Sequence, residues 1–269
     1  MPAPLRFIQH PLLNSKAVCL LLTQALLCAH AQSPSESPDT TPHSPVWSAG
    51  LGWFRYSEPD MKLEGPQLTL RVEHELRQPR WPVWLEADIG MGQLRYSSDA
   101  SGTLSQLPLL HGRANALWRI DGGTDATAAS EGIWRAGAQI EGTWTDLRGT
   151  SSMGHSGYER FNRKLWAVVH HERPGSARLE GGVLLYGRQQ SFLSQVPASP
   201  GLPDITNRQT RGFFLGYRHN RWRWSAQSER ALRPWVRYTE VSRSDQVGVQ
   251  GWYEPRNRTL LIGVEMPWP

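Results

Sequence analysis

Residues Gln67 to Tyr96 read QLTLRVEHELRQPRWPVWLEADIGMGQLRY. Gln67, Thr69, Arg71, Glu73 and Glu75 alternate with Leu68, Leu70, Val72, His74 and Leu76. After a break at Arg77-Gln78-Pro79-Arg80, Val83, Leu85, Ala87, Ile89 and Met91 alternate with Trp84, Glu86, Asp88, Gly90 and Gly92. A strand sends successive side chains to opposite faces, so each run carries one apolar and one charged or small face. Two such strands joined by a tight turn form a hairpin.

The same design recurs along the chain. Alternating segments are expected at Val46–Tyr56, about Leu107–Ile120, Gly132–Thr145, about Phe161–His171, Ala177–Gln190, Gln209–Arg218, about Trp222–Val241 and Thr259–Trp268. With the hairpin this makes about ten strands. The gaps Arg77–Arg80, Glu172–Ser176 and His219–Arg221 are short, and Asp121–Glu131 is a longer turn on the same side. The other gaps, Ser57–Gly65, Ser97–Gln106, Asp146–Arg160, Ser191–Arg208 and Ser242–Arg258, are long and polar. Short turns on one side and long loops on the other are a feature of transmembrane barrels. The expected fold is all-β: an antiparallel up-and-down transmembrane β-barrel of about ten strands, with eight or twelve as alternatives.

Composition agrees with a sheet that spans by strands. The chain has 269 residues and a hydrophobic fraction of only 39%. It contains no apolar run of about 18 residues that could span as a helix. The net charge of +5 falls to +3 without Arg6 and Lys16. The remaining positive residues are interleaved with Glu and Asp, so nucleic acid is not an expected partner. Ten of the thirteen tryptophans recur near segment ends (Trp47, Trp53, Trp81, Trp84, Trp118, Trp134, Trp144, Trp222, Trp235, Trp268), as an interfacial girdle requires.

The N-terminus reads as an address. Arg6 and Lys16 precede the apolar run Ala17–Cys28, and Ala29-His30-Ala31 supplies a small-x-small cleavage site. Residues 1–31 are read as a secretory signal peptide, 32–45 as a disordered Ser/Pro/Thr-rich linker, and 46–269 as the barrel. Both cysteines, Cys19 and Cys28, fall in the leader, so the exported chain depends on backbone ladders and not on disulfides.

The final segment, Gly263-Val264-Glu265-Met266-Pro267-Trp268, resembles the C-terminal signal of small Gram-negative outer-membrane β-barrel proteins. It departs from that signal in Pro267 and the trailing Pro269. The resemblance implies an outer-membrane location, insertion by the barrel-assembly machinery and contact with outer-membrane lipid. The strand count is that of the omptin proteases, without a matching arrangement of their catalytic acids and histidine.

Soluble and membrane barrels share this alternation, and what separates them is which face points inward. Arg71, Glu73, Glu75, Glu86, Asp88, Arg113, Glu141, Arg178 and Glu180 are expected to form a structural charge network in a narrow lumen. Arg188, Gln190, Asn207, Glu254 and Arg256 are the candidate rim of the mouth. His155-Ser156 lacks the spacing of a nucleophile and base. Of His170-His171-Glu172, only one histidine can face the lumen. No catalytic residue, cofactor or metal is expected. The leading expectation is a monomeric, non-enzymatic envelope protein with a structural or surface-recognition role. The alternatives are a barrel enzyme acting on lipid or peptide at the mouth, a small-solute pore, and a soluble secreted barrel that binds an apolar ligand.

Overall fold

The computed structural model describes residues 44–76, 83–99, 101–121, 132–148, 150–151, 157–173, 175–193, 203–221, 231–244 and 254–268. The expected signal peptide, nearly all of the expected linker, Trp81, Trp222 and the His155-Ser156 pair lie outside them. The strands are β1 (Val46–Ser57), β2 (Lys62–Leu76), β3 (Val83–Ser98), β4 (Gly102–Arg119), β5 (Ile133–Asp146), β6 (Thr150–Ser151), β7 (Glu159–Arg173), β8 (Ala177–Phe192), β9 (Ile205–Gln209), β10 (Gly212–His219), β11 (Arg233–Val241) and β12 (Asn257–Trp268).

Each long strand pairs antiparallel with its neighbours, and β12 pairs with β1 from Trp47↔Trp268 to Ser57↔Arg258. The ring closes through β8, β10 and β11. Twelve segments make ten staves. β9 and β10 are successive parts of one stave, both paired to β8. β6 pairs with β4 off the ring. The expected ten-stranded antiparallel barrel is the observed one. Among the described residues closure leaves no free edge on the ring that runs through β10, so its ladder donors and acceptors are paired all the way round, while β9 pairs with β8 alone.

The faces point as a membrane barrel requires. Leu51, Leu68, Met91, Ile140, Val183, Leu185 and Leu215 are outward and more than half exposed. Arg71, Glu73, Glu86, Asp88, Arg113, Arg178, Arg218, Arg237 and Glu265 are buried. A water-soluble barrel would place these two sets the other way round. Trp47, Trp118, Trp134 and Trp268 stand near the end of the barrel that carries its termini. Trp84 and Trp235 are corrections to the expected girdle, because both turn inward. Trp84 packs against the buried cluster around Trp166, and Trp235 is itself buried.

Two of the long gaps are not loops. β1 and β2 are joined by four residues (58–61), and β3 and β4 by three (99–101). The strands run on past the apolar belt, with the polarity of their faces exchanged. Phe54, Tyr56, Leu63, Leu94, Tyr96, Leu104, Leu107 and Leu109 form a buried core inside the ring. Lys62 and Arg95 face out on the same stretch. The period of two continues through the change, but its apolar member now points inward, as in a soluble barrel. β11 is shorter than expected and begins at Arg233. Residues 222–230, expected as its first part, lie outside the described residues.

The β7–β8 turn needs a left-handed residue, and Gly175 supplies it at φ 70° with open space around its Cβ position. Gly175→Ala is therefore expected to cost about 1–2 kcal/mol from backbone strain alone, read as a lower urea midpoint in detergent micelles. An unchanged midpoint would contradict this turn geometry.

Candidate functional site

The interior holds three features along the axis: an ion-pair network, a small polar chamber and a capped apolar core. The network begins at Glu73. Its carboxylate accepts from Arg178 at 3.3 Å, from Arg233 at 3.4 Å and from Arg218. Arg218 also reaches Glu265 at 3.4 Å, and Arg71 bridges Glu265 and Glu86 at 3.5 Å each. Arg178 donates to Glu86. Arg113 holds Asp88 at 2.9 Å and lies 4.0 Å from Glu180. Arg237 joins Glu180 at 3.0 Å to Glu141 at 3.7 Å, and Lys164 holds Glu141 at 2.9 Å.

Of the residues expected in this network, Arg71, Glu73, Glu86, Asp88, Arg113, Glu141, Arg178 and Glu180 come together. Glu75 does not. It is half-buried at the termini end of β2, opposite Trp84, and joins no ion pair among the described residues. Sequence reasoning missed Arg218, Arg233, Arg237, Glu265, Lys164 and the Arg135–Glu172 pair. Strand parity would have found most of them, since Arg218 follows Phe214 and Gly216 inward, and Arg237 follows Trp235. His170 also faces in, 3.7 Å from Glu180, while His171 packs outside on Trp134 with ring centroids 4.5 Å apart.

Above the network lies a chamber lined by His111, Arg113, Glu141, Asn162, Lys164 and Arg237 together with Thr143, Thr145, Thr239 and Thr259. It has room for only a few water molecules. His111 is fixed by a 3.0 Å hydrogen bond with Gln67. A Cβ at Gly90 would stand 2.2 Å from its Nε2, so a larger residue there would displace the imidazole ring.

The apolar core is capped by a polar cluster at the loop end. Arg160 donates to Glu58 at 2.9 Å, lies 3.9 Å from Glu254 and stacks 4.5 Å over the Tyr56 ring. The Tyr56 hydroxyl bonds Glu58 and lies 3.4 Å from Glu254. Gln189 donates to the other Glu254 oxygen, and Glu254 and Ser244 exchange backbone and side-chain bonds at 2.9–3.0 Å. Burial, then the neighbouring Glu58, pushes the Glu254 carboxyl up to about 8.

The candidate rim divides. Asn207 and Glu254 turn inward and are buried. Arg188, Gln190 and Arg256 face outward, Arg256 pairing with Glu240. Gln189 and Ser191 take the inward places instead. For Arg188 and Gln190 the cause is a β-bulge. Leu165 pairs with Tyr186 and Trp166 with Leu184, so Leu185 is left over. One extra residue reverses the parity of everything beyond it.

These features define a closed antiparallel barrel with an apolar outer belt and a charged interior. No family model and no curated protein matches the chain. Solved structures similar to it include the translocator domain of the autotransporter NalP from Neisseria meningitidis, at 13% identity and TM-score 0.46, covering 95% of this chain and 98% of that one. The β domain of the Bordetella autotransporter BrkA matches at 12% identity and TM-score 0.45, covering 83% and 98%. An outer membrane channel from Pseudomonas putida F1 matches at 11% identity and TM-score 0.42, covering 87% and 100%.

Glu73→Ala leaves three arginines facing a vacant centre. Breaking a buried pair in this way costs about 3–5 kcal/mol, to be read as a lower urea midpoint in micelles. A loss below about 1 kcal/mol, the range of surface pairs, would show that the network is solvated. Glu254 gives a pH prediction. Its folded value of about 8 lies above the ordinary 4.5, so the folded state keeps a proton that the unfolded chain has lost. Its stabilising contribution is complete below the ordinary value and gone once pH passes the folded value. The thermal midpoint should fall between pH 5 and 9 in the wild type relative to Glu254→Gln. Parallel profiles would contradict this.

Proposed function

We propose that the chain is a monomeric outer-membrane β-barrel, exported by its N-terminal segment and inserted by the barrel-assembly machinery. Its role is structural or in surface recognition through the loop end. The observation that carries this reading is the outward belt of Leu51, Leu68, Met91, Ile140, Val183 and Leu215 on a closed ring. In hydrocarbon that belt is solvated and the ladder is fully satisfied, whereas in water the same belt would drive aggregation.

A wide pore is disfavoured by the ion pairs, which cross the lumen between distant staves. Glu73 on β2 reaches Arg178 on β8 and Arg218 on β10. Such bridges fill a narrow barrel with side chains. A mouth enzyme draws support from one observation, the Glu254 carboxyl pushed up to about 8 by burial and then by the neighbouring Glu58. Against it, Arg160, Tyr56 and Gln189 already occupy both carboxylates.

Cell fractionation with heated and unheated gel samples tests the location. The protein should band in the outer membrane and migrate differently when unheated; a freely soluble periplasmic product would overturn the proposal. Ile140→Arg should cost about 2–4 kcal/mol for the barrel in vesicles, read by urea titration, because the new charge would face acyl chains. A neutral effect, as at an ordinary wet surface, would contradict that orientation. Planar bilayers should show no stepwise conductance, and steady unitary currents would favour the pore.

A further inference from the structure

The β7–β8 bulge does more than displace a predicted rim. It turns Arg188 outward between two other arginines. Arg163 pairs in register with Arg188, and Arg188 with Arg208, on three adjacent strands. Without the extra residue Arg188 would point into the barrel. Neighbouring strands lie about 4.7–4.9 Å apart, so three guanidinium-bearing side chains form one lateral row on the outer wall. Like charges directly opposite one another destabilise a sheet.

Several other outward arginines near this end, unlike Arg95, meet carboxylates. Arg55 meets Glu64 at 3.8 Å, Arg258 meets Glu240 at 3.3 Å, and Arg148 meets Asp146 at 2.8 Å. The row meets none among the described residues. Arg163 has a 2.7 Å bond to the amide oxygen of Gln190 and lies 5.4 Å over Phe161. Arg208 lies 5.6 Å over Tyr186. Arg188 Nε is buried and has no hydrogen-bond partner among the described residues. Aromatic faces orient a guanidinium without neutralising it, so the row is complementary to an anion.

Its position along the wall says which anion. On β7 the row is followed toward the termini end by Leu165, Ala167 and Val169, and on β8 it is preceded by Val183, Leu185 and Tyr186. It therefore stands near the loop-side end of the apolar belt, with the aromatic pair Phe161 and Trp144 next to it on the loop side. Beside Arg163 the same register continues through Gly142 and Gly112. A Cβ at Gly142 would meet nothing closer than 3.9 Å, so a smooth shelf adjoins the charges.

We propose that Arg163, Arg188 and Arg208 bind the phosphate of a membrane lipid of the leaflet on the loop side, whose acyl chains lie against the belt. Arginine forks suit phosphate oxygens, and the interface strengthens charge-assisted bonds relative to bulk water. This inference rests on the membrane-barrel reading, because a lipid phosphate reaches the row only if the belt is in the bilayer.

Native mass spectrometry of the full barrel, released from phosphatidylcholine vesicles containing phosphatidic acid, tests it. The wild type should retain phosphatidic acid in preference to phosphatidylcholine. Arg188→Gln should weaken retention about tenfold, the loss of one charge-assisted contact. The triple change of Arg163, Arg188 and Arg208 to Gln should abolish the preference, while Arg55→Gln should leave it intact. Every variant is first checked for a heat-dependent shift in gel migration. Failure of the wild type to insert and shift would overturn the membrane-barrel reading. Normal insertion with equal retention by the wild type and the triple variant would overturn the lipid site alone. Full displacement by inorganic phosphate would show a free-anion site and would also overturn the lipid proposal.

Discussion

Closure of the backbone ladder is the constraint on which the rest depends. An open sheet leaves a row of unpaired N–H and C=O groups, and each costs several kcal/mol in hydrocarbon. Here β12 returns to β1 over all but its first residue, from Trp47↔Trp268 to Ser57↔Arg258. Pro267 is tolerated because it stands one residue from the end of β12, where a missing donor costs least. With the ring closed, lipid can wet the apolar side chains, and the charged ones are left to satisfy each other across a narrow interior. The cross-lumen pairs of Glu73 with Arg178 and Arg218 link staves that are remote in the sheet order. They act as spokes that hold the cylinder's section. Removing both partners of such a pair is often harmless, but removing one strands a charge.

The wall changes character along its axis. Around Leu68, Met91 and Ile140 the apolar residues face out. Around Leu63, Leu94 and Leu104 they face in, and Arg55 and Glu64 pair on the outer surface. The first arrangement suits a bilayer and the second suits water. The exchange between them marks where the proposed membrane ends and an ordinary hydrophobic core begins. The Arg160, Glu58 and Glu254 cluster lies on that core, and the arginine row runs along the outer wall near the end of the belt.

The number of staves and the direction of the apolar stripe were legible from alternation, because both depend only on residue parity. Positions where parity or polarity breaks were not. The hairpins near Glu58 and Asp99 looked like loops because at Leu63 and Leu104 the apolar residue moved to the other face. Parity points to Gln190 for the rim in place of Gln189, because nothing in Gly182-Val183-Leu184-Leu185-Tyr186 announces an extra residue. Arg218 and Arg237 are readable by parity alone, from Phe214 and Trp235 on the same faces. Glu254 depends on contacts with residues 58 and 160, remote in the chain, and no local pattern encodes them.

The orientation of the two faces can be measured directly. Single cysteines placed at successive positions along β2 and β3, labelled with a polarity-sensitive fluorophore, would be exposed to lipids that carry a quencher on their acyl chains. Positions 68, 70, 89 and 91 should be strongly quenched, and positions 69, 71, 88 and 90 should not, giving a period of two. Quenching confined to positions 69, 71, 88 and 90, or absent throughout, would contradict a barrel whose greasy side meets lipid.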